Sequence, residues 1–161
     1  MDEVLTTREV ADRDADDLIE LVGAAYAEYP GCVLDLHDYD ADLLRPAAAI
    51  RASGGRWWVV EDAGRVVASI CASGIDEHGE VELNRLYVAA SHRRQGLAAH
   101  LVARVEEHAR ELGARRVSLW SDSRFTDAHR LYRRLGYVET GEQRELDDPS
   151  NTTELGFVRE L

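Results

Sequence analysis

Residues 91–98 read Ser-His-Arg-Arg-Gln-Gly-Leu-Ala. Two adjacent guanidinium groups and one glycine stand where an amphipathic helix opens. The first backbone N–H groups of a helix have no intrahelical acceptor, and the macrodipole places partial positive charge beside them. Gly96 lets a ligand approach the backbone, and Ala98 keeps the next turn small. Arg93 and Arg94 add charged, bidentate donors. The chemistry of this combination is the binding of a phosphate or diphosphate. An ordinary basic turn uses the same residues without a ligand, so the surrounding sequence has to discriminate.

Several phosphate chemistries are excluded by residue type. The chain has no lysine, and all 19 basic residues are arginine. A Walker A loop and a pyridoxal phosphate site both require lysine. A dinucleotide-binding turn requires G-x-G-x-x-G, and this loop has one glycine. Cys32 and Cys71 belong to no C-x-x-C pair, and the six histidines form no H-E-x-x-H, so no metal or redox centre is expected. No run approaches the roughly 18 apolar residues of a membrane span. The opening MDEVLTTREV is acidic and lacks a signal-peptide core, which makes the cytoplasm the expected location.

The elements that must position the loop follow from periodicity. Residues 4–10 read as a strand and 12–29 as a helix, with Leu18, Val22, Ala25 and Tyr26 at helical spacing and Asp14 as its N-cap. Residues 30–40 form a loop. A weaker helix over 41–53 is bent or broken by Pro46 and ends at Gly54-Gly55. The β-branched and aromatic runs at 56–62, 65–73 and 80–88 are separated by DAG and DEHG turns and form a meander. A helix over 96–112 buries Leu97, Leu101, Val105 and Ala109, with Gly113 past its end. Residues 115–121 are a strand. A helix over 126–136 presents Ala128, Leu131, Tyr132 and Leu135 on one face. Strands at 137–146 and 152–161 close the chain around a DDPSN turn. The order is β-α-α-β-β-β-α-β-α-β-β, a mixed α/β fold expected to form one domain over residues 1–161. Its sheet is mostly antiparallel, and the strand–helix–strand crossover forces one parallel pair.

Taken together, the segments resemble the GNAT N-acetyltransferase superfamily, as a small single-domain member of bacterial type. Arg93-Arg94-Gln95-Gly96-Leu97-Ala98 fits its R/Q-x-x-G-x-G/A signature, ELNRLYV resembles its fourth strand, and AHRLYRRLGYVETG resembles its C-terminal acyl-CoA motif. The resemblance is strong over residues 57–141 and weakest over 30–55. It implies that the loop holds the pyrophosphate of acetyl-CoA. It also implies that the strands carrying LYV and VSLWS splay apart around the pantetheine arm, near Leu86, Tyr87 and Val88, with a backbone N–H near Val88 polarising the acetyl carbonyl. Many relatives carry an asparagine three residues before Ala128. Here that position is Phe125, which leaves the pantetheine hydrogen bond to Ser123 or Asp127.

The same resemblance implies catalytic roles. Acetyl transfer to an amine needs a base for the ammonium proton and a donor for the departing thiolate. Glu82, on the strand leading into the site, is the candidate base, directly or through water. Tyr132 is the candidate acid and lies beside the departing sulfur. Both also have plain alternatives, a surface carboxylate and a core aromatic.

Charge sorts the acceptors. Residues 1–80 carry 6 Arg against 18 acids, while residues 85–134 carry 11 Arg against 5 acids. The basic half suits a polyanionic cofactor and the acidic half a cationic ligand. The formal net charge of −12 argues against nucleic acid. Asp35, Asp38, Asp40 and Asp42, with Trp57 and Trp58 close in sequence, suit a small cationic amine. Arg144, Asn151 and Glu154 are further candidate contacts. The expected reaction is direct transfer from acetyl-CoA to such an amine in a ternary complex, without metal. Two alternatives stay open: a catalytically weak acyl-CoA-binding regulatory module, or an acetyltransferase acting on protein amines. A homodimer is compatible with the resemblance.

Overall fold

The computed structural model describes residues 5–161. Seven strands form one sheet in the order β1-β2-β3-β4-β5-β7-β6. β1 (Thr6–Glu9), β2 (Arg56–Asp62), β3 (Arg65–Ala72) and β4 (Glu80–Val88) make the antiparallel meander. β5 (Arg116–Asp122) pairs parallel with β4, as the crossover requires. The expected mixed sheet with one parallel pair is observed. β7 (Thr153–Glu160) inserts between β5 and β6 (Val138–Glu145). Residue 4, expected to begin the first strand, lies outside the described residues.

Helices cover both faces. α1 (Ala15–Ala27) and α2 (Pro46–Ser53) lie on one, and α3 (Leu97–Glu111) and α4 (Thr126–Arg134) on the other. Alternation within the RWWVV run divides it between two cores. Trp57 and Val59 pack with Leu18, Val22 and Leu43, whereas Trp58 and Val60 pack with Leu101, Val105 and Phe157. A strand buried on both faces reads as a continuous apolar run, which is why the sequence marked it so plainly.

The first two helices differ from expectation. A 3-10 turn over Asp12–Asp14 precedes α1, so the helix begins later than its periodicity suggests. Asp14 occupies the N-cap position without capping α1. Its buried carboxylate instead accepts from the Ala11 N–H at 2.8 Å and pairs with both Arg8 Nη atoms, each at 2.8 Å. Burial alone would raise this carboxyl, but Arg8 and the Ala11 amide hold it below the ordinary value. Of the two outcomes expected at Pro46, bending or breaking, the structure shows the break. Pro46 is the first residue of α2, after a separate 3-10 turn over Ala41–Leu44. Pro has no N–H to lose there, and Asp12 Oδ1 accepts from the Ala47 and Ala48 N–H groups at 2.9 and 3.2 Å.

Two irregularities in β4 shape the centre of the molecule. Opposite β3, Ser69 pairs with Tyr87 but Cys71 pairs with Asn84, so β4 carries an extra residue. Arg85 sits in this bulge with φ +55°. Val81 and Leu83 face the α3 core before the bulge, and Leu86 and Val88 face it afterwards, while Tyr87 turns to the α1 side. Pairing with β5 stops at Leu83–Leu119. Beyond that point the two strands part. His129 of α4 is buried behind β5 and bonds the Ser121 hydroxyl and the Asp122 carbonyl at 3.1 and 3.0 Å. Among the described residues, no helix is long and apolar enough to cross a membrane.

Candidate active site

The parting of β4 and β5 opens a cavity of about 320 Å³. Its walls come from Leu83–Tyr87 of β4, Trp120–Asp122 of β5, Tyr26 of α1 and Tyr132 of α4. The α1–α2 loop and the β6–β7 turn close it, held together by Ser150. The Ser150 hydroxyl accepts from the Val33 N–H at 2.8 Å and donates to the Val33 carbonyl at 3.1 Å. A second groove of about 220 Å³ shares Leu86, Tyr87, Phe125 and Ala128 with the first. It runs out between β4 and α4 to Arg93 and Ala98.

The outer end of that groove is the β4–α3 loop. Arg94 and Gly96 both adopt left-handed backbone, φ +61° and +78°. Glycine is suited to that conformation, and a Cβ at Gly96 would meet nothing within 4 Å, so open space faces the backbone there. Among the described residues, none accepts a hydrogen bond from the backbone N–H groups of residues 93–99; the first intrahelical bond is His100 N to Gly96 O at 3.0 Å. This is a concave run of free donors at a helix start. Leu97 is buried and offers only its backbone, while Gln95 is exposed. The two arginines differ. Arg93 binds Glu28 at 2.7 Å and donates from Nε to the Val88 carbonyl at 3.3 Å, strapping the loop to α1. Arg94 has no hydrogen bond or ion pair among the described residues.

At the inner end, Tyr132 lies against Tyr137 and Phe157, with ring centroids 5.9 and 5.8 Å away. It is 6% exposed, lines the cavity, and its hydroxyl has no hydrogen-bond partner among the described residues. Burial pushes the phenol well above its ordinary value, so it stays protonated. Glu82 is half-buried one step outside the cavity lining, beside Arg144 and Glu154, which do line it. Burial raises its carboxyl, Arg144 opposes, and Glu154 and Glu80 add to the rise. Cys32 also lines the cavity; burial and then Asp122 push its thiol up, which removes it as a thiolate nucleophile.

The acidic loop is partly consumed by structure. Arg85 donates to Asp40 at 2.9 Å and through Nε and Nη2 to Asp42 at 3.0 and 2.5 Å. Asp40 also accepts from the Tyr26 hydroxyl at 3.3 Å, and the Tyr87 hydroxyl donates to Tyr26 at 3.3 Å. Asp35 and Asp40 line the cavity, whereas Asp38 is exposed outside it. Trp57 and Trp58 are a correction. Both are core residues on β2, two strands from the opening, and Trp57 Nε1 donates to the Ser69 hydroxyl at 2.8 Å. The tryptophan that lines the cavity is Trp120, with the Arg144 guanidinium stacked 4.4 Å above its ring. A Cβ on Gly156, its partner across the sheet, would lie 3.4 Å from that ring and 2.7 Å from Thr140 Oγ1. Of the late-chain candidates, Arg144 and Glu154 line the cavity and Asn151 does not.

Phe125 stands at the junction of the two cavities. Its ring packs on Tyr29 at 4.8 Å and near Tyr26 at 6.3 Å, bridging α4 to α1. Asp127 lines the outer groove, is largely exposed and pairs with Arg130. Ser123 lines neither cavity, and its N–H donates to the Thr153 carbonyl. Among the described residues, no group of three or more His, Cys, Asp or Glu side chains is arranged to hold a metal ion.

Residues 17–137 match the sequence model of the acetyltransferase (GNAT) family. N-acetyltransferase 8 of Mus musculus is 33% identical over 111 residues, covering 66% of this chain and 48% of that protein. The N-acetylaspartate synthetase of Danio rerio is 30% identical over 141 residues, covering 82% of this chain and 48% of that protein. The chain thus spans about half the length of these curated relatives. A GNAT-family acetyltransferase of Staphylococcus aureus superposes with a TM-score of 0.82 at 19% identity, over 98% of this chain and 99% of that one. The yncA protein of Salmonella typhimurium, solved with its cofactor acetyl-CoA, superposes with a TM-score of 0.74 at 20% identity, over 98% and 94%. At such identities the structural likeness shows the fold.

Proposed function

The chain belongs to the GNAT acetyltransferase family, and from that premise we propose that it moves an acetyl group from acetyl-CoA to the primary amine of a small molecule, by direct transfer in a ternary complex. One observation carries the reading. A run of free N–H donors at residues 93–99 opens onto a groove that leads, through shared walls, to the unpartnered Tyr132 hydroxyl.

The residues fit acetyl-CoA at each end. The free amides with Arg94 take the pyrophosphate, and the open space at Gly96 admits it. Leu86, Tyr87, Val88 and Ala128 flank the pantetheine arm. Phe125 offers that arm an apolar surface where relatives offer an amide, and Asp127 is the polar group left to contact it.

In the transfer, the neutral amine forms a C–N bond to the thioester carbon and the C–S bond breaks. The proton lost by nitrogen passes to Glu82 through solvent at the cavity wall. The thiolate takes its proton from Tyr132, a phenol kept protonated by burial, and the tyrosinate regains a proton from Glu82 through the same solvent, which restores both groups. The protonated Cys32 supports direct transfer over a thioester on the protein.

Incubation with acetyl-CoA and a panel of amines, with release of free thiol as the readout, tests this. Acceptor-dependent thiol release is the expected result. Tight acetyl-CoA binding with no acceptor-dependent release points to the regulatory module instead. Release only with peptide amines overturns the small-molecule acceptor.

A further inference from the structure

Past the Leu83–Leu119 pair, β5 no longer bonds β4, and its next residues line the larger cavity. Carried two residues further, the same register sets Ser121 level with Arg85, the bulged residue of β4. Ser121 therefore stands across the gap from Leu86 and Tyr87, where the path assigned to the pantetheine arm enters the cavity. It is 6% exposed and is a wall residue of that cavity.

Its hydroxyl is held from behind by His129 of α4, which is itself buried. His129 Nε2 lies 3.0 Å from the Asp122 carbonyl and 3.1 Å from Ser121 Oγ. Burial holds the imidazole below its ordinary value, so at neutral pH it is uncharged and carries one ring N–H. A carbonyl oxygen only accepts, so that hydrogen sits on Nε2. Nε2 then has no lone pair to offer Ser121. The Ser121 oxygen accepts a share of the N–H, and its own hydrogen has no acceptor among the described residues. A buried donor in that state is costly until a ligand completes it.

We propose that the Ser121 hydroxyl donates to the acetyl carbonyl oxygen of the bound donor, and that His129 is the positioning residue that turns it there. This rests on the acetyl-transfer reading above. The carbonyl oxygen is the strong acceptor at the inner end of acetyl-CoA. When the amine nitrogen bonds to the thioester carbon, the C=O electron pair moves onto that oxygen, and a donor fixed beforehand gains strength against the new charge. When the C–S bond breaks, the pair returns. Ser121 keeps its proton throughout and takes no part in the exchange between Glu82 and Tyr132. The oxygen is thus held from both lips of the gap, by a side chain of β5 and by backbone of β4.

Calorimetric titration with acetyl-CoA and with S-ethyl-CoA, which lacks the carbonyl oxygen, tests this. The ratio of the two affinities is the readout, and binding of S-ethyl-CoA reports a folded protein with its diphosphate loop intact. In Ser121→Ala the ratio is expected to fall about fivefold, the scale of one neutral hydrogen bond, with S-ethyl-CoA affinity within about twofold. His129→Leu is expected to lower the ratio likewise. His129→Gln is expected to keep it, because the glutamine side-chain nitrogen stands as many bonds from Cβ as Nε2 does. An unchanged ratio in Ser121→Ala overturns the role of Ser121 and leaves the transferase reading standing. Equal loss of both ligands overturns it too, since the carbonyl is then not the target. A ratio kept in His129→Leu overturns the positioning role. Failure of the unaltered protein to bind either ligand overturns the donor reading as well.

Discussion

Glu82 and Tyr132 face the same problem from opposite sides. Each is shifted upward by burial, and the two shifts have opposite meanings for a proton donor and a proton acceptor. A raised Tyr132 keeps its proton across the working range. A raised Glu82 must lose its proton before it can accept one, so kcat/KM rises with pH through a limb above the ordinary glutamate value of about 4.3. Glu82→Gln is expected to abolish that limb and lower kcat/KM by about 100-fold. Tyr132→Phe is expected to lower kcat by about 100-fold while acetyl-CoA affinity stays within about twofold. Steady-state pH profiles and calorimetric titration of acetyl-CoA check both. An unchanged kcat in Tyr132→Phe removes the acid role.

The β4–α3 loop shows at the level of an element what two neighbouring arginines hide in a sequence. Arg94 has no hydrogen bond or ion pair among the described residues, while Arg93 holds Glu28 and the Val88 carbonyl. Arg94→Ala is therefore expected to weaken acetyl-CoA binding by about tenfold with kcat little changed, and Arg93→Ala to weaken it less. A larger loss at Arg93 would show that the strap releases to reach the ligand. Periodicity located this loop and every strand of the sheet, because apolar runs and turn residues are local signals. It located the break at Pro46 but not the cap that lets α2 begin there, which comes from Asp12, 34 residues earlier in the chain. It also missed Trp120 and Arg85. The first depends on where β4 and β5 part, and the second on a bulge with left-handed backbone. Neither is written in a single window of residues. Trp57 and Trp58 were assigned to the acceptor by proximity in sequence, and strand order placed them elsewhere.

For the molecule as a whole, the formal charge of −12 opposes compaction, and buried carboxylates in both halves of the chain, Asp14, Asp40, Glu106 and Asp122, are ion-paired. Arg8–Asp14 is one of these, with Asp14 at 5% exposure and Glu61 sharing Arg8 at 3.2 Å. Because Asp14 is held below its ordinary value, the pair's contribution is complete above about pH 4 and is lost as the pH falls through the lower folded value. Asp14→Asn is expected to cost about 2 kcal/mol at neutral pH, because Arg8 loses its bidentate partner and keeps only Glu61. The gap from the unaltered protein should narrow below about pH 4. Urea unfolding across pH measures it, and a gap independent of pH would show that the pair acts through packing alone.

The strand order has a consequence for how the molecule comes into being. β7 is synthesised after β6 yet lies inside it, against β5. A chain emerging from the ribosome can complete the β1–β4 meander early, but β5 has no neighbour on its far side until β7 is made. Arg144 and Glu154, which line the larger cavity, take their places in the sheet only when β7 pairs. A chain cut before β7 thus holds the β4–α3 loop while one wall of the larger cavity is still missing. The loop proposed to hold the donor is built first, and the cavity proposed to hold the acceptor is completed only by β7.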